Sequence, residues 1–87
     1  MPIAAERAYA IIEHHLQDLL TQHNPEVDVV GDLLEIHSLL LLAGVADPHR
    51  AAPGTLREAA TLIVADETLG IGRLAIAALV DRLASRR

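Results

Sequence analysis

The sequence predicts an all-α protein: a compact bundle of four short helices with up-and-down connectivity and one long loop between helices 2 and 3. Three observations lead there. The 87 residues are 52% hydrophobic but only 1% aromatic, with Tyr9 the sole aromatic residue and no Cys. Leu and Ala carry the apolar content, a bias that suits helices and gives a sheet little of the side-chain surface it prefers. Apolar residues recur at three- and four-residue spacing in four stretches, with Gly, Pro or Asn between them. At this length the chain forms one domain, residues 1–87.

The first helix is expected from about Ala4 to Gln22. Ala5, Ala8, Tyr9, Ile12, Leu16, Leu19 and Leu20 form one stripe, and Glu6, Glu13, His14, Gln17 and Asp18 fall opposite. Asn24 reads as a new helix cap, with Pro25 at the first helical position. The second helix starts between Pro25 and Val29 and ends at Ala43, with Gly44 as its left-handed cap. The connection that follows holds two prolines and a glycine, and Asp47-Pro48 is placed to open a single turn. Thr55 and Glu58 spell a capping box, so the third helix starts at Leu56 and runs to about Leu69, capped by Gly70. Its stripe is Leu56, Ala59, Ala60 and Ile63. The fourth helix runs from about Gly72 to Ala84 on Ile76, Leu79, Val80 and Leu83, flanked by Ala75 and Ala78.

Charge is unevenly placed. The net charge is −5, and every basic residue is Arg. Between Ala8 and His49 lie seven acids and no Arg; from Arg50 onward six Arg face four acids. An acidic front half disfavours general binding to nucleic acid or an anionic membrane. No apolar run approaches the roughly 20 residues of a bilayer span. With no cysteine and no signal-like N-terminus, the expected location is the cytoplasm.

The second helix carries the unusual pattern, "EIHSLLLLAG". At about 100° per residue, Asp28, Asp32, Glu35 and Ser38 share one side. Val30, Leu33, His37, Leu40 and Leu41 gather opposite, which places His37 at the centre of the apolar face. Leu39 and Leu42 fall on the acidic side, where the bundle core does not reach. Either the connection over residues 45–55 folds back over them, or a second subunit or partner does. Small bundles gain much from self-association.

Candidate chemistry is sparse. The five His, at 14, 15, 23, 37 and 49, include no Glu-x-x-His and no His-x-x-x-His pair. His14 and Asp18 could grip a surface metal only weakly. No metal site, cofactor or catalytic residue is assigned. His37 and Tyr9 are the expected buried polar residues, and a ligand or metal site centred on His37, helped by Asp66 or Glu67, is the rival reading. The third and fourth helices also have the outline of a helix-turn-helix. The second of them offers only Arg73 early, too little for base and phosphate contacts. The reading reached is a non-enzymatic protein–protein interaction module, a subunit, adaptor or regulator that forms a homodimer. Its expected interface is Leu39, Leu42, Glu35 and Asp32, with Ala75 and Ala78 allowing close helix approach. No nucleic-acid or membrane partner is expected.

Overall fold

Four helices form where the periodicity places them. The computed structural model describes residues 3–22, 24–45 and 54–86. Its helices are α1 (Ile3–Thr21), α2 (Val27–Leu42), α3 (Leu56–Ala65) and α4 (Arg73–Arg86), with a single 3₁₀ turn at Glu67–Leu69. No strand occurs among the described residues, and none of their helices is long and apolar enough to cross a membrane.

α1 packs on α2 and α3, and α4 packs on α3 and α2. The helices therefore stand at the corners of a square, with α1/α4 and α2/α3 on the diagonals. Tyr9, early in α1, stacks on His37, late in α2. Asp66, just after α3, bonds the first turn of α1, while His15 meets Gly54 just before α3. Arg57, at the start of α3, reaches Ser85 near the end of α4. Every touching pair is thus antiparallel. Up-and-down order holds within the hairpins α1–α2 and α3–α4. The long connection carries the chain back along the bundle, so α3 runs the same way as α2 from the opposite corner.

The core draws on all four helices. Ile11, Ile12, Leu33, Ile36, Leu40, Ile63, Val80 and Leu83 are among its fully buried side chains. Each removes enough apolar surface from water to contribute roughly 1.5–3 kcal/mol. The α3 stripe Leu56, Ala59, Ala60 and Ile63 is buried as expected. On α1 the buried arc is wider than the predicted stripe. Ile11 is buried and Leu20 is exposed, because α1 must face α3 as well as α2.

The helix ends explain where the chain turns. Gly44 has φ +95°, and its N–H donates to the Leu41 carbonyl while the Val45 N–H donates to that of Leu40. This is a Schellman closure, completed by burial of both Val45 and Leu40. Thr55 accepts from the Glu58 N–H at 3.1 Å. Glu58 does not return the bond within the box but pairs with Arg7 at 2.9 Å. A Cβ on Gly54 would run into that Glu58 carboxylate and come within 3.1 Å of Ile11.

One expected cap and one expected boundary are corrected. Asn24 is not a helix cap: it sits at φ +60°, and α2 starts only after Glu26. An asparagine accepts the left-handed conformation more readily than most residues, and a following proline disfavours right-handed α. α3 does not run to Leu69. It ends at Ala65, because Asp66 turns extended and its carboxylate accepts from the Thr68 N–H and hydroxyl to start the 3₁₀ turn. The turn expected at Asp47-Pro48 lies outside the described residues, as does most of the connection expected to cover Leu39 and Leu42.

Asp66 is the buried acid among the described residues, and its Oδ2 accepts from the Ala5 N–H of α1 at 3.2 Å. Replacing it by Ala strands that donor and melts the local turn. Asp66→Ala should lower the unfolding free energy by about 1–3 kcal/mol in urea titrations followed by circular dichroism. Gly44→Ala, forced into a left-handed conformation, should cost about 1–2 kcal/mol in the same measurement.

Candidate interaction surface

Around its axis α2 divides into four bands. Val29, Leu33, Ile36 and Leu40 face the core. Next, on the α1 side, come His37, Val30, Leu41, Leu34 and Val27. Ser38 and Gly31 follow, small and exposed. The last band, on the α4 side, holds Leu42, Glu35, Asp28, Leu39 and Asp32. Its side is fixed by an open groove of about 660 Å³ lined by Val27, Asp28, Gly31, Asp32 and Arg82.

The six residues expected at an interface fall on one face of the bundle, made by α2 and α4. Leu39 lies two turns beyond Asp32, and Leu42 two turns beyond Glu35. Ala75 and Ala78 lie on the same side of α4 as Arg82, and both are exposed. The two leucines differ in surroundings. Leu39 is half-buried and packs against the core, whereas Leu42 is 84% exposed. The face has two halves. At one end Asp28 and Asp32 share the groove with Arg82. At the other end, Leu42 closes α2 and Ile71 lies in the turn that leads into α4. Ile71 is 85% exposed and was not expected at a site. It sits in the turn before α4, outside any helical stripe. Its apolar character next to Gly70 and Gly72 was the one available signal.

His37 is not at the centre of the core face. Ile36 occupies the core, and His37 is half-buried at the α1 seam, its ring 4.6 Å from that of Tyr9 and tilted by 38°. The displacement has a simple cause. α2 has two apolar bands, and their mean direction points between them, at His37. Tyr9 is buried. Asp66 does turn inward, but toward the α1 N-terminus, and Glu67 stays exposed. His14 and Asp18 lie 3.6 Å apart on an exposed surface. His15 donates from Nε2 to the Gly54 carbonyl at 3.0 Å. Among the described residues no three His, Asp or Glu come together as a metal site.

Arg73, the early cation of α4, is turned back on the fold. Its Nε donates to the Val64 carbonyl at 2.9 Å and its Nη1 to that of Gly70 at 2.8 Å. It caps the end of α3 instead of projecting outward. The α3–α4 hairpin presents Leu74, Ala75 and Ala78 on its exposed surface. No protein family, curated protein or solved structure matches the chain.

Burial, and secondarily the charge of Glu13, raises the pKa of Tyr9 above its ordinary value of 10.0. The neutral phenol is the form the fold favours. Its stabilising contribution is complete below pH 10 and is lost as pH rises through the higher folded-state value. A spectrophotometric phenolate titration should therefore lie above that of the denatured chain. Glu13→Gln should recover only the smaller part of the difference.

Proposed function

We propose that the protein is a small helical module that works by protein–protein contact in the cytoplasm, self-associating through the α2/α4 face. The observation that carries this reading is the exposure of both Leu42 and Ile71 at the same end of the α2/α4 pair. They are the most exposed large hydrophobic residues among those described, and they share one end of one helix pair. Leu39, Ala75 and Ala78 extend the apolar surface around them. Clustered exposure of this kind marks contact sites, whereas scattered apolar residues do not. Alanines on α4 let a second helix approach closely. The charged half of the face, with Asp28, Asp32, Glu35 and Arg82, supplies the polar rim that orients a partner.

Sedimentation equilibrium tests the reading. The wild-type chain should form a dimer, and Leu42→Glu and Ile71→Glu should each weaken it at least about tenfold, roughly 1.4 kcal/mol. Helix content should not change, since both residues are in water in the monomer. A strict monomer at high concentration, or a dimer indifferent to both substitutions, would remove the proposal.

A further inference from the structure

The apolar band of α2 on its α1 side lies outside the fully buried core and meets the α2/α4 face only at its first turn, where Val27 also lines the groove with Arg82. Val27, Leu34 and Leu41 recur at seven-residue intervals and are 81%, 48% and 45% exposed. Val30, half-buried, falls between the first two. Alternating spacing of three and four residues is the seam on which a second helix packs at a shallow angle. The seam is about 21 Å long, four turns of helix. Along one edge run Gly31 and Ser38, and nothing lies within 4 Å of where a Cβ on Gly31 would be. A neighbouring backbone can come close there.

We propose that this seam docks an amphipathic helix of a partner protein, one whose apolar stripe is flanked by Arg and Lys. The charge around the seam selects that chemistry. Beyond the Gly31–Ser38 edge lie Asp28 and Glu35. Across the seam, on α1, lies Glu13, one turn after Tyr9. No Arg or Lys occurs between Ala8 and His49, and Arg82 of α4, which comes to the Val27 end, shares its groove with two acids, Asp28 and Asp32. Two copies of this surface facing each other would oppose acidic rims, so like charge disfavours a second copy here. A basic helix meets an acidic rim on both sides while its stripe covers Val27, Leu34 and Leu41, the helix-on-apolar-seam mode of recognition. Leu34 and Leu41 lie around α2 from Leu42 and outside the groove, so this proposal does not depend on self-association.

Two synthetic helical peptides test it, with one shared heptad of leucines and either Arg/Lys or Glu at the flanking positions. Binding is read by fluorescence anisotropy and by methyl chemical shifts of the wild-type protein. The basic peptide should bind, shift the Leu34 and Leu41 methyls, and weaken as salt is raised. The acidic peptide should bind at least about tenfold more weakly. Leu34→Glu and Leu41→Glu should each reduce binding of the basic peptide by about tenfold or more, with helix content unchanged, while Leu42→Glu leaves it intact. Equal binding of the two peptides, binding of neither, or indifference to both seam substitutions overturns the proposal. Loss of a wild-type dimer on Leu34→Glu would identify a second copy as the occupant and overturn it too.

Discussion

The carboxylate of Asp66 holds the two hairpins in register. Its three donors are the Ala5 N–H, the Thr68 N–H and the Thr68 hydroxyl, so one buried group satisfies the first turn of α1 and shapes the exit from α3. The remainder of the α1–α3 seam follows from that anchor. With Asp66 at the start of α1, Glu58 comes opposite Arg7 and Gly54 opposite His15. The Arg7–Glu58 pair is partly solvated and is worth about 1 kcal/mol at most. The buried acid is therefore the stronger constraint. From the same end Arg73 clips Val64 and Gly70, which sets where α4 begins.

Much of this was legible in the residues themselves. The 3.6-residue stripes, Gly44 and the Thr55 cap define local structure, and local structure needs no partner to be read. Asp66 was not legible in that way. Its position continues the α3 stripe by one turn, but the group it satisfies is 61 residues away in sequence. Ile11 was missed for a related reason: a helix with two neighbours buries a wider arc than one moment vector describes. On α2 the averaging went further, merging two apolar bands into one false centre at His37. The acids and leucines of α2 and the alanines of α4 were each visible as anomalies. That they share one face became visible only when α2 and α4 were found side by side. Ile71 lies in a turn, where periodicity carries no information.

α2 is therefore asked for more than a peripheral helix usually supplies. A quarter of its circumference builds the core, and the rest alternates an apolar seam with an acidic edge. Such a helix gains from Ile36 and Leu40 and leaves Val27 and Leu42 in water. The pattern that confuses a sequence reading of the core is the same one that separates two exposed apolar bands around one axis.

The antiparallel arrangement of all touching helices has an electrostatic consequence. Each end of the bundle carries two helix N-termini and two C-termini at alternate corners, so the peptide dipoles oppose each other in pairs. The field along the bundle is small. Across it, Asp28 and Asp32 of α2 share a groove with Arg82 of α4, so opposite charges sit together on one flank. The helix dipoles, opposed in pairs, give a charged protein approaching the bundle no preference for an end over a flank.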